Sequence, residues 1–142
     1  MDGDRGSEAA VRQIFVNLPV KDLERSKRFF QGLGFSINPE FTDENAACVV
    51  VEQNVIHVML LKESFFKTFT PRPIADASRS TEVLVCLSCA SDHEVKQLVA
   101  KATTSGGKAV REPQDHGFMY QHAFEDPDGH IWELVHMRSQ PQ

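Results

Sequence analysis

No apolar run in this chain approaches the length of about 20 residues that a membrane-crossing helix requires. Runs such as those at residues 49–51 and 58–61 suit a short buried strand instead. Basic residues are in the minority as well. Fifteen Lys and Arg face 20 Asp and Glu, and the formal charge of −5 speaks against nucleic acid or an anionic membrane as a partner. Cysteine is scarce, and three residues, an odd number, do not build a disulfide framework. Cys86 and Cys89 do make a C-x-x-C, but a redox pair wants a helix N-terminus to lower a thiol pKa, and structural zinc wants a second ligand pair. Residues 82–88 read as a strand, on which a spacing of three sends the two sulfurs to opposite faces. Both are expected to be small, buried or half-buried residues. The first ten residues carry acids and glycines without the apolar centre of a secretory signal. Residues 1–11 are therefore read as a disordered polar tail, and the cytoplasm as the expected location.

What is present is the composition of one ordinary domain. The chain has 142 residues, 41% hydrophobic and 25% charged, enough to bury a core without disulfides or metal. Residues 13–20 form a Val/Ile/Phe-rich strand with Pro19 near its end. Asp22 stands where a helix N-cap belongs, Leu23, Phe29, Phe30 and Leu33 make an apolar stripe, and Gly32 and Gly34 supply the stop. Three strand-like runs follow, at residues 35–41, 46–52 and 55–61, separated by turns at 42–45 and 53–54. The order is β, α, β, β, β.

That order recurs. Residues 82–88 read as a strand. Ser91-Asp-His-Glu94 is a capping box, and Val95, Leu98, Val99 and Ala102 follow at i, i+3, i+4 and i+7. Gly106 and Gly107 close the helix. Residues 108–111, 119–125 and 131–137 are three further strands, the last two joined by the turn Asp126-Pro-Asp-Gly129. The chain is thus an internal repeat of two βαβββ modules, 12–63 and 81–138, forming one α+β domain; Leu18 matches Leu87, and Val58-Met-Leu60 matches Trp132-Glu-Leu134. Residues 64–80 form the connector. Its Phe65, Phe66 and Phe69 need burial against the sheet, over a cavity or in a partner subunit.

Two stretches carry a family resemblance. Val16-Asn-Leu-Pro-Val-Lys-Asp-Leu-Glu-Arg-Ser-Lys-Arg-Phe-Phe30, closing on Gly32-Leu-Gly-Phe35, is similar to the first strand and helix of glyoxalase/bleomycin-resistance proteins. Phe124-Glu-Asp-Pro-Asp-Gly-His-Ile-Trp-Glu133 is similar to their last hairpin and is the more specific of the two. The chain resembles the vicinal oxygen chelate superfamily, which includes extradiol dioxygenases, over residues 12–138. The resemblance implies two modules, from one chain or from two, curled around a small-molecule cavity, and a homodimer. In metal-using members it implies four ligands, one on the first and one on the last strand of each module, holding iron, nickel, zinc or manganese.

Carried over, those positions fall on Phe15, Met59, Leu84 and Glu133. Only Glu133 is a fitting donor, since Phe and Leu cannot ligate and a thioether suits hard or borderline divalent ions poorly. His57 shares a strand face with Met59, and His122 lies on the approach to the cavity that the resemblance implies, so a displaced site from Glu133, His57 and His122 stays open. Glu133 itself is a candidate catalytic base, a ligand anchor, or half of a structural ion pair. His116, Phe118, Met119 and Tyr120, around Gly117, form either a cavity wall for a planar ligand or a plug for the core.

Two functions from different classes follow. One is metal-independent binding or sequestration of a small, partly aromatic molecule, with Phe15, Met59 and Leu84 lining an apolar cavity. The other is a divalent-metal lyase or oxidoreductase of glyoxalase or dioxygenase type with a rearranged site.

Overall fold

The computed structural model describes residues 12–138; the tail read at residues 1–11 lies outside the described residues. The first module runs β1 (Ile14–Val20), α1 (Leu23–Gly32), β2 (Ser36–Asn38), β3 (Ala46–Glu52) and β4 (Ile56–Lys62). A short helix, α2 (Glu63–Phe66), opens the connector. The second module runs β5 (Leu84–Ser88), α3 (Asp92–Thr104), β6 (Lys108–Asp115), β7 (Met119–Glu125) and β8 (Ile131–Met137). Each module makes its own four-stranded sheet, in the orders β1-β4-β3-β2 and β5-β8-β7-β6. The first and last strands of each module pair in parallel and the others antiparallel. Among the described residues no helix is long and apolar enough to cross a membrane.

Local chemistry sets the ends of these elements. The Asp22 carboxylate accepts from the Arg25 amide at 3.0 Å, and the Ser91 hydroxyl accepts from the Glu94 amide at 3.0 Å. The box glutamate reaches back one residue further than expected, to the Ala90 amide at 2.7 Å. Pro19 costs β1 nothing, because β1 is an edge strand and needs hydrogen bonds on one side only. Two expected strands change length most. The one expected at 35–41 stops at Asn38, whose side chain caps a 3-10 turn over Pro39–Phe41. The one expected at 108–111 continues to Asp115 through a bulge between Val110 and Gln114, where Arg111 takes φ 55°. Pro113 lies inside that bulge.

Alternation then divides each sheet into two faces. Val16, Leu18 and Val20 of β1, with Val58 and Leu60 of β4, turn towards α1; Trp132 and Leu134 of β8, with Phe124 of β7, turn towards α3. The two sets share one core. The Phe29 ring lies 5.8 Å from Phe124 and the Phe30 ring 5.0 Å from Trp132, so α1 packs on the second sheet as well as its own. A Cβ on Gly107 would stand 2.8 Å from the Phe29 ring and 2.2 Å from the Glu125 carbonyl, so only glycine permits this approach.

The polar seam of the two modules is the turn before β8. Asp126 is buried, and one of its oxygens accepts from the Asp128 and His130 amides at 3.0 Å each. The other accepts from the Trp132 indole at 3.2 Å. So fixed, the turn points Asp128 at the start of α1, where it accepts from the Lys21 amide (2.9 Å), the Ser26 hydroxyl (3.2 Å) and the Arg25 guanidinium (3.3 Å). His130 Nε2 meets the Pro19 carbonyl at 2.7 Å. At Gly129, with φ 94°, a Cβ would lie 2.8 Å from Ser78 Cα, so the connector is docked against the same turn. Asp128→Ala removes three inter-module acceptor contacts and is expected to lower stability by about 2–3 kcal/mol in urea unfolding.

At the far end Arg138 bridges Asp92, at the start of α3, and Asp115, at the end of β6, while His136 Nδ1 lies 2.8 Å from Asp92. Hydrogen bonds from Arg138 first, then from His136, hold the Asp92 carboxyl at about 2 instead of 3.8. Its folded pKa lies below the unfolded one, so the contribution is complete above the unfolded value and is lost as pH falls towards the folded one. The unfolding midpoint is therefore expected to drop between about pH 4 and pH 2, and Asp92→Asn to flatten that drop in acid titration.

Candidate functional site

Outside the shared core each sheet leaves a second face, and the residues proposed for function divide between these two faces. On the first sheet Phe15 lies beside His57, and Asn17 beside Met59. On the second, Leu84 lies beside Ile131, and Cys86 beside Glu133. The parallel ladder thus repeats in register, with Phe15 matched by Leu84 and Met59 by Glu133. Both sheets give their opposite faces to the common core, so one chain does not bring these four residues around a common point. Phe15 and Leu84 remain 43% and 48% exposed.

On the first open face His57 is buried. Its Nδ1 lies 3.8 Å from Cys48 Sγ, the Phe15 ring stacks on it at 4.6 Å and 14°, and Nε2 has no hydrogen-bond partner among the described residues. Burial pushes the Cys48 thiol up from its ordinary pKa. On the second open face Glu133 is half-buried between Cys86 and Ala123. It joins no salt bridge among the described residues, so the structural ion pair left open by the sequence is not formed there. Burial, and then the charge of Glu133, push the Cys86 thiol up as well. Cys86 and Cys89 are free, the first exposed and the second packed at the core edge.

Other expected site residues stand elsewhere. His122 pairs with Leu134, whereas Ala123 pairs with Glu133, so alternation puts His122 on the opposite face of the sheet. Its Nε2 lies 2.9 Å from the Arg111 carbonyl in the bulge. His122 and Glu133 share only the rim of a dimple of about 10 Å³. Tyr120 pairs with His136 on the core side and is buried between Lys96 and Arg138, whose charged ends lie 5.4 and 5.6 Å from its ring centre. It is a core aromatic, which corrects its reading as a cavity residue. His116 and Phe118 sit in the β6–β7 turn, with rings 6.4 Å apart and Phe118 53% exposed, and Arg138 donates to the Gly117 carbonyl to hold that turn.

A cavity opens beneath the connector. It measures about 340 Å³ and lies where the connector passes over β1 and the start of β8. Pro19, Phe66, Ile74 and Ile131 give it apolar walls, and Arg72 and Glu82 are two of its polar lining residues. Phe66 was the visible signal, and it lines this cavity. Phe65 and Phe69 pack on each other at 5.1 Å, and Phe69 stays 64% exposed.

The donor set does not fit a divalent ion. Among the described residues no three His, Cys, Asp or Glu side chains converge to hold a metal. The implied ligand positions supply two hydrocarbons, a thioether and one carboxylate.

Comparison with known proteins agrees with this architecture. The family model for the bleomycin resistance protein-like N-terminal region matches residues 12–52. Among solved structures, hypothetical protein SA1046 from S. aureus shares 29% identity over 92% of this chain and 97% of its own, with a TM-score of 0.73. A glyoxalase-related enzyme from Fulvimarina pelagi gives a TM-score of 0.75 at 22% identity, covering 92% of each chain. The chain has the fold of glyoxalase/bleomycin resistance proteins. The fosfomycin resistance protein FosX from Mesorhizobium loti has the same fold at 14% identity, with a TM-score of 0.62 over 87% of this chain and 89% of its own. No curated protein matches the sequence. Within that fold this chain carries Phe15, Met59, Leu84 and Glu133 at the matching positions of its repeated ladder. Replacing Tyr120 by Ala is expected to cost about 3 kcal/mol of stability, as for a buried aromatic. His122→Ala should leave the urea midpoint nearly unmoved.

Proposed function

We propose that the chain is a cytoplasmic small-molecule-binding protein that encloses an apolar, partly aromatic ligand without a divalent metal. The observation that carries this reading is the set of side chains on the repeated ladder. Phe15, Met59 and Leu84 offer contact area where a Lewis-acid site needs donors, and Glu133 supplies one carboxylate to orient a ligand hydroxyl or amine. A lyase or oxidoreductase of glyoxalase or dioxygenase type would need at least two further donors converging with Glu133, and among the described residues no three His, Cys, Asp or Glu side chains converge in that way.

The open faces also favour a homodimer. Ile14 and Phe15 begin edge strand β1, and Val83 and Leu84 stand at the start of edge strand β5; all four are exposed, and both strands keep a free edge. Apolar free edges are the surfaces that proteins cover by pairing. Two copies set edge to edge would bring Phe15 and Met59 of one chain opposite Leu84 and Glu133 of the other.

The test is a thermal-shift screen of small aromatic compounds, run with and without chelator. Ligands are expected to bind in chelator, and binding to be lost in Glu133→Gln at unchanged intrinsic stability. Ligands that act only after addition of iron, nickel, zinc or manganese would establish the enzyme reading instead. For the dimer, the double variant Met59→His/Leu84→His should gain nickel affinity together with Glu133, and nickel should tighten self-association in sedimentation. A gain with no change in association would show that the faces do not meet.

A further inference from the structure

The first open face holds Cys48 and His57, which the binding reading leaves unused, beside Met59. Cys48, His57 and Met59 occupy adjacent positions on β3 and β4: Cys48 stands directly across the ladder from Met59, and His57 is two residues from Met59 on the same face. Cys48 is fully buried and His57 is 4% exposed, with Sγ and Nδ1 3.8 Å apart. We propose that these three side chains form a binding site for copper(I), a soft monovalent cation.

Geometry supports it first. With metal–sulfur and metal–nitrogen bonds of about 2.3 and about 2.0 Å, donors 3.8 Å apart subtend an angle of about 120° at a shared ion. That is the angle of a three-coordinate centre, and Met59, on the neighbouring ladder position, is the third donor. Chemistry supports it next. Thiolate, thioether and imidazole are the ligands that select copper(I) over hard divalent ions. The ladder neighbours of the three are Phe15, Asn17, Asn38 and Val50, so no carboxylate stands next to them to favour a harder metal.

Charge supplies the third argument. The bound ion replaces the proton on Cys48, which leaves to solvent, and one thiolate with one monovalent cation and two neutral donors sums to zero. A neutral site escapes most of the penalty for burying charge, whereas a divalent ion there would leave one positive charge uncompensated. The site lies within one sheet, between β3 and β4, and so does not depend on a second copy of the chain.

The experiment is an anaerobic titration of the reduced full chain with copper(I), in competition with a copper(I)-specific chromogenic chelator. One ion per chain should be withheld from the chelator, with a near-ultraviolet thiolate-to-metal absorption. Cys48→Ser and Met59→Leu are each expected to lower affinity by at least about tenfold, the loss that follows even when a group behind a metal ligand is removed. Met59→Leu is a volume-conserving change that keeps the fold. Cys86→Ser/Cys89→Ser should bind as the parent does. Parent-like affinity in Met59→Leu and Cys48→Ser, or loss of binding in the Cys86/Cys89 variant, would overturn the proposal.

Discussion

The carboxylate of Asp128 joins two sheets that do not share a single strand. It accepts from the Lys21 amide, the Ser26 hydroxyl and the Arg25 guanidinium, all at the start of α1. Asp126 holds it there by accepting both turn amides and the Trp132 indole. Fixing this turn fixes how α1 lies on the second sheet. That in turn lets Phe29 and Phe30 meet Phe124 and Trp132, and sets which face of each sheet is spent on the core. The motif that made the chain recognisable is therefore structural at its aspartates. Its last residue, Glu133, looks out to an open face.

From that constraint the functional surface follows. Each sheet has one face left, and the repeated ladder places Phe15 with Met59 on one and Leu84 with Glu133 on the other. The same register in both modules preserves the positions while the side chains have diverged. Glu133 is the hard donor at these positions, and the softer ones gather on the first sheet around Cys48 and His57. An apolar, weakly polar surface of this kind suits contact with a ligand better than activation of one.

Much of the architecture was legible because its signals are local. Asp22 and Ser91 cap the helices where their side chains predict, and three strands, β3, β7 and β8, have the ends that alternation gives them. The opposed faces of Trp132 and Glu133 were equally readable. What was not legible depends on register between strands. His122 and Glu133 are eleven residues apart with a turn between, and only the ladder pairing Ala123 with Glu133 shows that His122 faces away. Tyr120 reads as a free aromatic until Lys96 and Arg138 are seen on either side of its ring. The bulge that carries β6 past Pro113, and the cavity under the connector, arise from packing that no single segment encodes.

The span of the Asp128 contacts has a consequence for how the chain is made. Lys21 and Asp128 are 107 positions apart, and Pro19 and His130 are 111. During synthesis from the N-terminus, the first module emerges complete long before the turn that seats its helix exists. Until then Phe29 and Phe30 lack Phe124 and Trp132, and the nascent module exposes aromatic surface that the finished protein hides. Contacts of such long range slow folding and leave the partly made chain open to association. The last hairpin thus acts as a release signal, sealing the first half of the protein only when the second half has been delivered.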